Sequence, residues 1–125
     1  MIISTGLDLV SVPRFERFVE RHGRRGLDRL FTPEEIEYCL ALAHPVRSFA
    51  ARFAAKEAFY KASGTGVGPA GGWRDVEVVR LGSGRPILRL HGRAALCARQ
   101  LDVQRIHLSL SHTDDLAAAT VVLER

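Results

Sequence analysis

The sequence predicts an α+β domain whose elements run β-α-α-α-β-β-α-β-β. Three observations carry this. Strict apolar–polar alternation appears near both ends, in GLDLV (6–10) and HLSLSH (107–112), as half-buried strands require. Helix signals fill the stretch between residues 13 and 63. The chain has 125 residues, enough for one domain and too few for two well-cored ones.

Residues 2–10 read as a strand. If Leu7 and Leu9 face the core, Asp8 projects from the opposite face. Residues 13–25 read as a helix with Pro13 in its first turn and an apolar stripe of Val12, Phe15, Val19 and His22. Arg14, Arg17, Arg21 and Arg24 follow one another at helical spacing as a basic stripe, with Phe18 beside it. Thr32-Pro33-Glu34-Glu35 has the N-cap, the N1 proline and the glutamate of a capping box, and opens a helix to about Leu42. His44-Pro45 ends it. A helix over 47–63 follows, with Gly64 placed to stop it.

Residues 65–72 are a glycine-rich loop. Residues 73–81 and 85–90 read as strands joined by a turn at Gly82-Ser83-Gly84. Residues 92–101 read as a short amphipathic helix. The strands 107–112 and 116–124 close the chain around a turn at Asp114-Asp115. No internal repeat or low-complexity segment interrupts this order.

Composition narrows the class. Apolar residues make up 46% and charged residues 26%, ordinary globular usage. No apolar run approaches a membrane span, and the first residues lack the basic start of a signal peptide, so a cytoplasmic location is expected. Cys39 and Cys97 are too few for a disulfide framework and read as small packed thiols. The net charge of +4 suits an acidic or phosphorylated partner and equally an ordinary surface. Sixteen of the 18 basic residues are Arg, and the only two Lys, Lys56 and Lys61, fall on one helix.

That helix holds the densest polar cluster: Arg52, Lys56, Glu57 and Lys61. Such spacing ordinarily marks a solvated, ion-paired face. Here the intervening residues are Ala and Phe, so much of the surface is expected to be buried, and charges in it need partners. Asp8 is a lone carboxylate in an apolar strand. Two carboxylates from different elements, beside cations and a glycine-rich loop, suit Mg²⁺ and phosphate oxygens.

ARFAAKEAFYKASGTG (51–66), with GLDLV upstream, resembles the trimeric bacterial 4′-phosphopantetheinyl transferases, the holo-[acyl-carrier-protein] synthase family. WRDVEV (73–78), GRPILRL (84–90) and HLSLSH match that family in order and spacing, so the resemblance covers essentially the whole chain. It implies a single domain of that type over residues 1–125, antiparallel strands packed with a long central helix. It implies transfer of the 4′-phosphopantetheine arm of coenzyme A to a serine of apo acyl carrier protein, in fatty acid biosynthesis, releasing adenosine 3′,5′-bisphosphate. By motif position, Asp8 and Glu57 would hold Mg²⁺ and Lys61 the pyrophosphate. Arg52, Lys56, His107 and the loop Gly64, Thr65, Gly66 would bind the coenzyme. Arg14, Phe18, Arg21 and Arg24 would grip the acidic carrier. A homotrimer with sites between subunits is implied.

Glu57, a metal-bound water polarised by it, His112 and Asp114 are the candidate acceptors of the serine proton. His22, His44 and His91 read as surface histidines. Two rival functions are transfer to a different carrier domain and a small basic nucleic-acid-binding module. The latter calls for aromatics interleaved with the exposed cations, and only Phe18 fits.

Overall fold

The computed structural model describes residues 1–125. Strands β1 (Ile2–Ser11), β4 (Arg105–His112) and β5 (Leu116–Glu124) form an antiparallel sheet in the order β1-β5-β4. Strands β2 (Val76–Arg80) and β3 (Pro86–Leu90) form a separate hairpin. Helices α1 (Val12–Leu30), α2 (Pro33–Leu40), α3 (Pro45–Ser63) and α4 (Gly92–Gln100) complete the domain. The α+β class and the element order are as the sequence predicts. No helix is long and apolar enough to cross a membrane.

Helix α3 is the axis of the molecule. Its sequence is alanine-rich because it is packed on nearly every side: Ala54, Ala55 and Ala58 are wholly buried. It lies across the sheet at β1 and β5 and separates two apolar clusters. One lies against the sheet and hairpin, around Phe59, Val76 and Val121; the other joins α1, α2 and α3 around Phe15, Phe31 and Phe49.

Gly6 fixes how closely β1 approaches α3. A Cβ there would overlap the Ala58 carbonyl oxygen, so only glycine lets strand and helix meet at this point. Two residues on, Asp8 shares the face of Gly6 and lies against the same helix. The expectation that Leu7 and Leu9 face the core is therefore reversed. They are 57% and 63% exposed on the outer face of the sheet, and Asp8 points inward. The alternation was right; packing at Gly6 chose the opposite phase.

The capping box at α2 is present: Thr32 Oγ1 accepts from the Glu35 amide and Glu35 Oε1 accepts from the Thr32 amide. Gly64 ends α3 with φ 80°. Several boundaries differ from expectation. Helix α1 runs on to Leu30 across a break at Gly23, whose φ of 58° and ψ of −146° are not helical. The basic stripe is thus continuous through Arg21, and Arg24 starts a new segment. Trp73–Asp75 is a 3₁₀ turn rather than strand, because an Asp75 carboxylate oxygen accepts from the Gly72 amide at 3.0 Å and holds the chain in a tight turn. Cys39 is buried and Cys97 half-buried; both are free thiols. Burial raises the Cys39 thiol pKa.

Candidate functional site

β1 and the last turns of α3 bring together three side chains far apart in sequence. Lys61 Nζ donates to Asp8 Oδ1 at 2.8 Å and to the Leu7 carbonyl oxygen at 3.0 Å. Asp8 is largely shielded, its side chain 13% exposed, whereas Lys61 is 54% exposed. Glu57 lies one turn before Lys61 on the same face of α3. Its partial burial raises its pKa, and the neighbouring Asp8 charge adds to that; Lys61 opposes both. The hydrogen bond to Asp8 raises the pKa of Lys61.

The pair Asp8 and Glu57 offers hard carboxylate oxygens from two elements, with an ammonium already seated on one of them. That donor set suits a hard divalent cation that keeps waters and takes further oxygens from a ligand. No group of three or more His, Cys, Asp or Glu side chains converges anywhere in the chain.

These residues edge a cavity of about 460 Å³ whose other walls are apolar, Phe15, Phe18, Phe53 and Trp73 among them. Arg14 stands at its rim. Phe18 stacks between Phe15 at 5.5 Å and His22 at 4.7 Å between ring centroids. Arg14 and Arg21 are exposed on this first segment of α1, while Arg24 is occupied by Asp28 at 3.1 Å. On the other side of Lys61 a smaller hollow of about 210 Å³ is lined by Glu57, Lys61, Gly64 and Gly66. The loop expected beside the carboxylates is there. Thr65 does not line the hollow; its hydroxyl lies 3.5 Å from that of Ser63.

Lys56 does not belong to this site. It is wholly buried, bonded to Glu35 Oε1 at 2.7 Å and to the carbonyl oxygens of Trp73 and Val76. A hundred degrees per residue turns it away from Glu57 into the interior, where it is fully enclosed within the chain. Burial lowers its pKa against the pull of Glu35.

Arg52 and His107 are likewise not brought together. Arg52 is buried, donates to Ser48 Oγ at 2.9 Å and stacks 4.4 Å from the Tyr38 ring centre. Its Nε is the one buried side-chain polar atom without a partner. It borders a cavity of about 400 Å³ shared with His44, Arg80, Ser111 and His112, to which Arg52 and Arg80 bring two guanidinium charges. His107 lies on the outer face of β4, paired with Glu124 at 2.8 Å. Five residues separate the two histidines, and an odd separation on a strand puts them on opposite faces. His112, not His107, therefore shares the Arg52 cavity within the chain. Arg80 and His44 carried no signal in the sequence, since only tertiary packing brings the hairpin and the α2–α3 connection to Arg52.

The largest cavity, about 870 Å³, lies between α2 and the outer side of the hairpin. None of Asp8, Glu57 or Lys61 reaches it. Arg52 and Arg80 border both it and the histidine-lined cavity.

Comparison with known proteins gives a consistent answer. Residues 4–121 match the model of the 4′-phosphopantetheinyl transferase superfamily. The holo-[acyl-carrier-protein] synthase of Koribacter versatilis is 51% identical over 124 residues, 99% of each chain. The crystal structure of the synthase of that name from Neisseria meningitidis superposes with a TM-score of 0.92 at 34% identity, covering 100% of both chains. That of Helicobacter pylori, in complex with coenzyme A, superposes at 0.84 with 30% identity, covering 96% of this chain and 99% of that one.

Proposed function

The chain belongs to the 4′-phosphopantetheinyl transferase superfamily, and on that premise we propose how its residues divide the work of its relatives' reaction. The protein transfers the 4′-phosphopantetheine arm of coenzyme A to a serine of apo acyl carrier protein and releases adenosine 3′,5′-bisphosphate. The serine oxygen attacks the β-phosphorus. The bond from that phosphorus to the bridging oxygen breaks, and the electron pair leaves with the nucleotide phosphate.

Asp8 and Glu57 would hold Mg²⁺. When bound, it supplies positive charge to the pyrophosphate oxygens, where negative charge builds up. Lys61 adds a second cation from the same face. The Gly64–Gly66 turn leaves room beside Lys61 for a phosphate or ribose. Glu57, directly or through a metal-bound water it polarises, is the proposed acceptor of the serine proton. Of the candidates, it alone shares a cavity with Asp8; Asp114 is paired with Arg47 at 3.0 Å, and His112 belongs with Arg52.

The cationic cavity of Arg52, Arg80, His44 and His112 fits the nucleotide's separate phosphate, and the orphan Arg52 Nε is a donor in need of an acceptor. Within one chain that cavity shares no lining residue with the carboxylate cavity. A site composed of one copy's carboxylates and the next copy's arginines resolves the separation. The outer face of the sheet, with exposed Leu7, Leu9 and Leu116, is an apolar surface for such an assembly, which we read as the homotrimer. A cytoplasmic location belongs to the same reading.

The observation that carries the proposal is the convergence of Asp8, Glu57, Lys61 and the Gly64–Gly66 loop on one side of α3. Intact-mass spectrometry of an apo acyl carrier protein tests it, after incubation with this protein, coenzyme A and Mg²⁺. The carrier is expected to gain one phosphopantetheine arm, and EDTA, D8A or E57Q to abolish the gain while circular dichroism shows a folded protein. No gain on any of a panel of apo carriers refutes the activity.

A further inference from the structure

We infer that Lys61 is a displaceable cation: its ammonium sits on Asp8, and a divalent ion competing for that carboxylate turns it toward the phosphate hollow. The inference rests on the proposed metal position at Asp8 and Glu57.

Asp8 is shielded between β1 and α3, and a carboxylate so placed needs a positive partner. Lys61 is that partner, using two of its three N–H donors, on Asp8 Oδ1 at 2.8 Å and the Leu7 carbonyl at 3.0 Å. Yet the lysine is 54% exposed, so only these two bonds and the nearby Glu57 charge keep its head there. An exposed ammonium on a flexible stem exchanges its partner at small cost. A divalent ion competing for the same carboxylate oxygen displaces it.

The released head has a definite place to go. Lys61 borders two spaces, the cavity it shares with Asp8 and the hollow it shares with Gly64 and Gly66. The two glycines have φ of 80° and 78°, and a Cβ built on either meets no atom within 4 Å, so the hollow is open where the ammonium would swing. Seated, Lys61 spends its charge on Asp8 and has one N–H donor left. Displaced, it lies beside the loop with its charge free. Metal loading and presentation of the phosphate-binding lysine are thus one event.

The chain's two lysines make this directly observable. In ¹⁵N-lysine-labelled protein, the side-chain ammonium signals come from Lys56 and Lys61 alone. Titration with Mg²⁺, without coenzyme A, is expected to shift or broaden the Lys61 signal along the metal-binding isotherm and leave the buried Lys56 signal in place. Calorimetry with Mn²⁺ is expected to show binding about fivefold tighter to K61M than to the parent, with K61R close to the parent. A Lys61 signal unmoved at metal saturation, or K61M binding Mn²⁺ no tighter, overturns the inference and leaves the metal site standing. Absence of binding to both parent and K61M overturns the metal site as well.

Discussion

Two lysines five residues apart on one helix have opposite fates, and their surroundings decide which. Lys61 reaches Asp8 on β1 and stays half exposed; Lys56 points into the interior and finds Glu35. A buried ammonium with three oxygen partners is a structural tie, here joining α3 to α2 and to the start of the hairpin. Breaking such a pair from one side leaves an uncompensated buried charge, at a cost of about 3–5 kcal/mol. K56M is therefore expected to lower the urea unfolding free energy by that order. Coenzyme A binding by whatever protein remains folded should be nearly unchanged. Equilibrium denaturation and calorimetry check the two halves. A stable K56M with lost coenzyme affinity would return Lys56 to the ligand site.

At the scale of elements, the polar tie continues through Glu77 of β2. Its carboxylate accepts from Thr32 Oγ1 at 2.7 Å and lies 2.9 Å from His91 Nε2. Burial alone would raise its pKa, but these hydrogen bonds outweigh burial and the net shift is downward. A carboxyl whose folded pKa is depressed stabilises the fold above its unfolded value, near 4.3, and loses that contribution as pH falls through the folded value. Urea midpoints are expected to drop between about pH 5 and pH 3, and E77Q to flatten that drop. Helix α1 makes a different kind of prediction. Arg14 and Phe18 line the apolar cavity, Arg21 is exposed further along the same segment, and Arg24 is engaged by Asp28 beyond the Gly23 break. R14E with R21E is expected to raise the KM for the acidic carrier at least about tenfold and weaken its salt dependence, with coenzyme A affinity unchanged. Steady-state kinetics at two ionic strengths check this, and equal KM values would refute a carrier role for α1.

Most elements were legible because their signals are local. The capping box at Thr32, the glycine stop at Gly64 and the alternation of β4 each use residues a few positions apart. What the sequence left hidden was set at longer range. The phase of β1 depended on Gly6 meeting Ala58, fifty residues away, and the cationic cavity on three elements packing around Arg52. The motif told which residue types matter near α3. It did not tell that Lys56 and Glu57, adjacent in the chain, face different spaces.

At the scale of the whole molecule, the two parts of the proposed site stand apart within one chain. The carboxylate pair and the cationic cavity lie on different sides of α3, and the outer sheet face, with Leu7, Leu9 and Leu116 exposed, has no cover within the chain. In a ring of three copies, each interface would join Asp8 and Glu57 of one subunit to Arg52 of the next. Mixing variants tests this directly. D8A and R52Q are each expected to form inactive trimers. After unfolding and refolding together in equal amounts, subunits assort at random. An interface is intact when an R52Q subunit supplies the carboxylates and a D8A subunit supplies the arginine. Random pairing makes that combination in about one quarter of interfaces, so activity is expected to recover to about a quarter of the parent level. If every site lay within one chain, no mixture could restore a complete one. Recovery from two inactive parents would place the site between subunits, and its absence from verified mixed trimers would confine the site to the single chain.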